Sequence, residues 1–576
     1  MGIPFFFYWL RKNFSTCIHT LRKEDTFKDI HLDEKKTHPV IDNLAIDLNG
    51  VFHHCAQKIF EYGIFKKPER FLRKKPLVQT LKKQIELFEE ICKTINFLVL
   101  MVQPQKRLIL SVDGVAGVSK IAQQRQRRYR SAKEQKEDSF NNHVLTTGTK
   151  FMDYLTKYID WFIRKKISDG SWRHLEIVFS NEKAVGEGEY KILSFIRYFG
   201  NKDESYCLHG ADADLIMLSL GSHVKDFYII RENMYDEKEY LVINIGLFRS
   251  DLVQYMDWTT EEKEIKKYCQ ITSINDFVFI CFMIGNDFLP HIPTLEILDG
   301  GIEVLLDVYK NVGETYGHLT RKYNDQIVFN KKSLEVFLGT ISQYEKGTIE
   351  DKLNKKEPIF PDELLNQFCQ SKEEGIQVDL KNYKQAYYKE KFKDTTIKEI
   401  CHKYLEGMQW VLTYYTKGMP NWRWFYSYHY APFAEEMAKH IKTFHFPVYG
   451  RTTPLTPFQQ LLAVLPPSSA DLIPEPLCDL LKSESPIADF YPKEFKIDLG
   501  GKRKEWEGRV LLPMIDIERL EKAYQSKINN VDKTEAKRNI LGKSFVYRFT
   551  TEDKGVFKSF YGDIPKLKVI TETIDI

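Results

Sequence analysis

Five stretches of the sequence carry acidic residues to places where metal-assisted hydrolysis could use them. LAIDLNG holds Asp47, SVDG holds Asp113, VGEGEY holds Glu187 and Glu189, GADADL holds Asp212 and Asp214, and IGNDF holds Asp287. The first four follow apolar, β-rich runs, and the fifth follows a helical apolar run. In an open parallel sheet, ligands gather outside the carboxyl ends of the strands, so separate strand ends would deliver these groups to one crevice. So many negative charges cannot crowd together unaided, because repulsion raises their pKa values or opens the site. Hard divalent cations such as magnesium or manganese resolve the conflict, since they prefer oxygen ligands, and no His or Cys has zinc spacing. Two such ions suit phosphodiester hydrolysis: one generates hydroxide and both stabilise the in-line transition state. Each acid taken singly has a plainer reading. An Asp after a strand is commonly a helix N-cap or turn residue, and GEGE and DAD could be solvated turns. The two i, i+2 acidic pairs combined with three further carboxylates are what favour a metal site.

Directly after Asp113 comes GVAGVSKIAQQRQRRYRSAKEQKE, Gly114 to Glu137. Lys120, Gln124, Arg127 and Arg128 stand at i, i+4, i+7 and i+8, which on a helix places them within an arc of ~100°. Guanidinium forks and an ammonium match phosphate oxygens, and a terminal 5′ phosphate carries more charge than an internal one. Arg125 and Arg130 read as a solvated face, the usual fate of charge runs. Two aromatic features stand apart. NGVFHHC puts His53 six residues after Asp47, and MPNWRWFYSYHYAPF crowds Trp422 and Trp424 among tyrosines. Aromatic faces stack unpaired bases without reading sequence. Core packing is the plainer reading for most of that cluster, and a structural role is the plainer one for a lone His.

Positioning these groups requires an alternation of strands and helices. Strand-like runs occur at 40–48, 107–112, 175–180, 205–209 and 226–230, with helical patterns such as 77–102 and 150–166 between them. That order predicts an α/β fold with a mostly parallel sheet and helices on both faces. Residues 330–385 are polar and lysine-rich with little strand signal and read as helices and loops. Residues 386–445 are helical and aromatic, 446–520 carry prolines and short apolar pieces, and the last ~40 hold no usable motif.

A chain of 576 residues suggests roughly three to four units at ~150 residues each. The net charge is only +4, so anion binding must come from local clusters. Nine scattered cysteines without a CxxC pair read as reduced thiols of an intracellular protein and argue against structural zinc. No apolar run reaches the ~18 residues of a membrane span. MGIPFF lacks the build of a signal peptide, and Phe6 departs from the myristoylation pattern. The absence of GxGxxG after the first strand disfavours a dinucleotide-binding enzyme.

MGIPFFF, LAIDLNGVFH, SVDGVAGVSKIAQQRQRRYR, VGEGEYKI, GADADLIML and GNDFLPHIP follow one another in this chain, and WRWFYSYHYAPF, TPFQQLLAVLPPSS and FYPKEFKIDLGGKRKEWEGRVLLPMID come later. In these motifs and their order the sequence resembles the XRN-type 5′→3′ exoribonucleases over roughly residues 1–540. The resemblance implies a flap-endonuclease-like nuclease core over 1–325 and a linker or helical insertion over 326–385. A largely helical second region over 386–540 would cover the active site, leaving a C-terminal segment, 541–576, of unassigned role. It implies that Asp47, Asp113, Glu187, Glu189, Asp212, Asp214 and Asp287 hold two Mg2+ ions, for which Mn2+ could substitute. It implies that Lys120, Gln124, Arg127 and Arg128 bind the 5′ monophosphate, and that His53 stacks on the first bases with either Trp422 or Trp424. The implied activity is processive 5′→3′ degradation of single-stranded, 5′-monophosphorylated RNA to nucleoside monophosphates by a cytoplasmic monomer. Gly117, Val118, Tyr190 and Ala211 depart from the family's usual residues, but none is a proposed ligand or phosphate contact. A flap or structure-specific DNA endonuclease is the first alternative, disfavoured because GNDFLPHIPTLEI follows where a glycine-rich helix-hairpin-helix would stand. An inactive RNA-binding scaffold is the second, and a scaffold has no reason to keep mutually repelling acids.

Overall fold

The runs NLAID, RLILS, EIVFS and YCLH are apolar at consecutive central positions, the pattern of strands covered on both faces. They form the centre of a nine-stranded sheet in a computed structural model that describes residues 3, 5–31, 37–65, 81–134, 140–259, 268–355 and 359–576. Met1, Gly2 and Pro4 of the first motif, 77–80 of the predicted 77–102 helix and 135–137 of the basic stretch lie outside the described residues. The strands are β1 (Ile18–Arg22), β2 (Asn43–Asp47), β3 (Arg107–Ser111), β4 (Glu176–Ser180), β5 (Tyr206–His209), β6 (Phe227–Glu232), β7 (Glu239–Asn244), β8 (Ser544–Phe549) and β9 (Val569–Ile574). Their spatial order is β1-β7-β6-β5-β2-β3-β4-β8-β9. The run from β6 to β4 is parallel, as the strand–helix alternation predicts, while two antiparallel strands extend it at each edge. The register aligns Asp47 with Ser111, Ser111 with Ser180, and Ile46 with His209. The loops that leave these strands therefore start level, at one edge of the sheet.

The helices used below are α1 (Leu48–Ile59), α2 (Leu81–Val102), α3 (Val118–Glu134), α4 (Lys150–Ser168), α5 (Gly188–Tyr198), α6 (Asp214–Gly221), α7 (Gln270–Cys281), α8 (Ile397–Thr416) and α9 (Pro457–Val464). Alternate strand residues divide between two cores. Leu44, Ile46, Leu108, Leu110, Ile177 and Phe179 face α1, α2 and α4, whereas Ala45, Ile109, Val178 and Leu208 face α5, α6, α7 and, beyond them, α8. A third core joins the two parts of the chain: Val118 and Ile121 of α3 pack with Phe458, Leu461 and Leu462 of α9. Burying each of these large side chains stabilises the join by about 1.5–3 kcal/mol.

Three expectations are corrected here. Arg125 and Arg130 are not a solvated face. Arg125 is 3% exposed; it donates to the carbonyl of Ala463 at 3.2 Å and to that of Phe490, and its guanidinium lies over the Tyr129 ring. Arg130 donates to the carbonyls of Trp506, at 2.6 Å, and Gly508. Both tie the basic helix to the second region, because main-chain carbonyls there satisfy the donors as water would. The segment 330–385 contains a hairpin, Cys369–Lys372 paired with Gly375–Val378. The final residues, without a motif in sequence, supply β8 and β9, and β8 pairs directly with β4.

Candidate active site

Asp47 ends β2 and Asp113 lies two residues beyond β3, so the aligned strands bring them side by side. Glu187 precedes α5 and Glu189 lies in its first turn. Asp47, Asp113 and Glu189 each offer an oxygen within 4.8 Å of the others. The approach of α5 depends on Gly188. Its backbone N–H donates to Asp113 Oδ1 at 2.8 Å, and a Cβ there would stand 2.4 Å from Asp47 Oδ1. Asn49 holds Asp113 from the other side: its Nδ2 donates to Oδ2 and its Oδ1 accepts from the Asp113 N–H, both at 2.9 Å. Sequence reasoning missed Asn49, although its place two residues after Asp47 in LNG was the available signal. Asp212 lies in the loop after β5 and Asp214 opens α6. Asp287 comes from the turn after α7 and the short helical turn Phe282–Ile284. Tyr414 of α8, also missed, donates to Glu187 Oε2 at 3.2 Å.

Lys120 reaches from α3 into this cluster. Its ammonium pairs with Glu187, with Asp287 Oδ2 at 2.8 Å and with Glu189 at 3.5 Å. Gln123 Nε2 donates to Asp287 Oδ1 at 3.0 Å. Lys120 by itself does not balance the acids, and the pKa shifts record the excess. Burial, then the charges of Glu189, Asp113 and Asp212, push Asp47 well above the usual carboxylate range. Burial, with Glu189 and Asp113 adding, does the same to Glu187 despite Lys120. Burial, Asp287 and Asp212 push Asp214 up to about 7. Asp287 goes the other way: burial would raise it, but the Lys120 ammonium holds it at about 2. Asp47 Oδ1 and Asp214 Oδ1 are buried with no hydrogen-bond partner. Orphaned oxygens among mutually raised carboxylates are the donor set of a hard divalent cation. The residues present fit such an ion, and all the donors are oxygen.

Along α3 the remaining members of the arc continue past the acids, with the charge of Arg127 felt by Asp287 and that of Asp113 felt by Arg128. Gln124 is buried. Arg128 donates to Thr146 Oγ1 at 2.9 Å and makes a long contact of 3.5 Å with Gln124 Oε1. Burial, then the neighbouring Arg127, pull the Arg128 guanidinium down to about 10. Arg127 is exposed. Neither arginine has an acidic partner within 4 Å among the described residues, so both keep unspent capacity for an anion. His53 belongs to this pocket: burial, then Arg127 and Arg128, hold its imidazole at about 4, hence neutral at physiological pH.

The structure separates the two tryptophans. Trp424 is 8% exposed and stacks on Trp410 with centroids 5.0 Å apart, so its face is taken by packing. Trp422 is half-buried, meets the Tyr190 ring edge-on at 6.0 Å, and accepts the Val118 N–H at the start of α3 through its carbonyl. Gly117, where a Cβ would lie 3.1 Å from Met419, keeps that junction close. Among the described residues, no helix is long and apolar enough to cross a membrane.

Comparison with known proteins bears on the same residues. Residues 1–233 match the family region described as "XRN 5'-3' exonuclease N-terminus", and residues 270–377 and 366–564 match "Xrn1 helical domain". The chain is 28% identical over 735 residues to 5'-3' exoribonuclease 1 of Saccharomyces cerevisiae, across 98% of this chain and 46% of that protein. It is 28% identical over 721 residues to the Schizosaccharomyces pombe protein of the same name, across 98% and 51%. Against the human one it is 31% identical over 625 residues, across 94% and 35%. The chain thus spans about half the length, or less, of these curated relatives. Six of the seven acids and the basic helix fall within the first matched region, Asp287 and Tyr414 fall within the second, and the chain belongs to the XRN 5'-3' exonuclease family.

Proposed function

We propose that this chain is a metal-dependent 5′→3′ exoribonuclease that removes nucleoside 5′-monophosphates one at a time from single-stranded RNA bearing a 5′ monophosphate. The observation that carries the reading is the convergence of carboxylates from five chain segments beside two arginines that have no acidic partner within 4 Å among the described residues. Divalent cations, here Mg2+ with Mn2+ as a substitute, bound among Asp47, Asp113, Glu187, Glu189, Asp212, Asp214 and Asp287 supply Lewis acidity and a nucleophile at neutral pH. The protein's own groups do the positioning. Gln124, Arg127 and Arg128 take the terminal phosphate, which sets the scissile bond one nucleotide further along. Lys120, buried between the arc and the acids, balances charge where the scissile phosphate enters. Asn49 and the Gly188 N–H fix the Asp113 carboxylate, so its oxygens need not reorganise during reaction. Neutral His53 and the accessible ring of Trp422 stack the first bases, which requires an unpaired strand. None of the nine cysteines is in a disulfide, which supports a reducing, cytoplasmic location, and we read the working unit as a monomer.

The test is the decay of one RNA carrying a 5′ hydroxyl, monophosphate, triphosphate or cap, with Mg2+ and with chelator. The expected result is Mg2+-dependent mononucleotide release from the monophosphate form alone, and its loss in Asp212→Ala with an unchanged melting temperature. Equal decay of all four ends, or decay in chelator, would refute the reading.

A further inference from the structure

Helix α3 has a second functional face. Lys120, Gln124, Arg127 and Arg128 point one way; Ser119, Gln123 and Gln126, at i, i+4 and i+7, point another, into a cavity of about 230 Å³. Asp287 lines this cavity and accepts from Lys120 on its other side, so one carboxylate separates it from the candidate active site. Gln126 and Met514 stand half-exposed at its rim.

The cavity is lined by polar groups that the fold leaves unmet. Asn286 Oδ1 accepts from the N–H groups of Phe288 and Leu289 at 2.9 and 2.8 Å, which fixes the amide and leaves its buried Nδ2 without a partner. Gln123 is held by its bond to Asp287, and its Oε1 is buried and unpartnered. His429 donates from Nε2 to the Leu512 carbonyl at 2.9 Å, so its buried Nδ1 is an acceptor with nothing to accept. Arg509 lies over the Tyr430 ring at 4.6 Å and has no acidic partner within 4 Å among the described residues. Buried polar groups are seldom left unmet, and three around one cavity, with the half-buried Arg509 beside them, indicate a missing ligand. The set comprises two donors, one of them cationic, two acceptors, and the aromatic side chains of Phe425 and Tyr428. A phosphate matches the arginine and the amide, ribose hydroxyls match the acceptors, and a base matches the rings.

We propose that this cavity is a product site, which takes the nucleoside 5′-monophosphate after cleavage, with its phosphate on Arg509 and Asn286. The assignment rests on the exoribonuclease reading above. A processive enzyme must release each product while holding the shortened strand, and a separate exit site meets that need.

The test is an equilibrium titration of the full chain with adenosine 5′-monophosphate in chelator, so that no cation occupies the acids; inorganic phosphate and adenosine serve as separate arms. The expected result is binding of the monophosphate, tighter than either fragment, and weakened at least about tenfold by Arg509→Ala, with retention in Arg509→Lys. Single-turnover removal of the first nucleotide stays unchanged in Arg509→Ala while inhibition by added monophosphate is lost. If that variant does not fold, Asn286→Asp keeps the two N–H acceptor contacts and replaces the donor with a repelling charge; it must weaken binding likewise. No binding by the parent chain, or equal binding by folded variants, overturns the assignment and leaves the exoribonuclease reading intact. Failure to release mononucleotides from monophosphorylated RNA overturns that reading, and the titration still judges the cavity.

Discussion

Asp214→Asn should stabilise the cation-free protein in a pH-dependent way. Asp214 is 4% exposed, one of its oxygens has no partner, and burial with Asp287 and Asp212 lifts its pKa from 3.8 to about 7. A carboxyl with a raised folded-state pKa holds its proton in the native state while the unfolded chain has released it. Stability is therefore lost as pH rises from about 4 to about 7 and is constant above. At ~1.4 kcal/mol per pKa unit the full loss is on the order of 4 kcal/mol, and about 2.7 kcal/mol of it falls between pH 5 and pH 7. The isosteric amide cannot ionise and escapes the loss. With an unfolding entropy of ~2.1 cal/mol/K per residue, or about 1.2 kcal/mol/K for the whole chain, the gain in melting temperature at pH 8 exceeds that at pH 5 by about 2 °C. The assay is calorimetric melting of both proteins in chelator at the two pH values. Adding Mg2+ at pH 8 should narrow the difference, since a cation at 100 times its dissociation constant stabilises the parent by about 2.7 kcal/mol and the variant has lost a ligand. A gain that is equal at both pH values, or a variant that melts lower at pH 8 in chelator, would show that Asp214 is not held protonated by burial and its neighbours.

Gly188→Ala, whose methyl would meet Asp47 Oδ1 at 2.4 Å, should cut Mg2+-dependent cleavage by about 100-fold through displaced carboxylates, measured against an unchanged circular dichroism spectrum. Arg128→Gln should slow decay of the 5′-monophosphorylated RNA by about 10- to 100-fold, the worth of a charge-assisted hydrogen bond; competition between parent and variant rates on one labelled RNA reads this directly. Arg125→Ala orphans the Ala463 and Phe490 carbonyls and should destabilise by about 2–4 kcal/mol, seen as a lower melting temperature and as faster proteolysis between the first and second regions.

The parallel strands, their acidic ends and the basic helix were legible because each is local. Apolar runs, a carboxylate after each run and a charge period near 3.6 need no knowledge of what lies across the fold. The fate of individual cations on α3 was not legible. Lys120, Arg125 and Arg128 look alike in a row of residues, yet one meets acids, one meets carbonyls of the second region and one meets only the Thr146 hydroxyl and the oxygens of Gln124. What separates them is the identity of partners up to 365 positions away. Trp422 and Trp424 show the same limit: two residues apart, one is sealed against Trp410 and the other stays half-buried. β8 and β9 were missed for a related reason, since SFVYRF and VITETI become strands by pairing with each other and with β4.

That pairing has a consequence for biosynthesis. β4 is complete at Ser180, but its neighbour β8 begins only at Ser544, so about 360 residues must be translated in between. At ~5–20 residues per second the ribosome takes on the order of tens of seconds to deliver it. Throughout that interval the emerging polypeptide presents a bare row of amides and carbonyls along β4, a template on which another chain can nucleate. The last strands thus act as a late seal, and expression of the amino-terminal portion by itself should yield aggregated material however intact its acids and arginines.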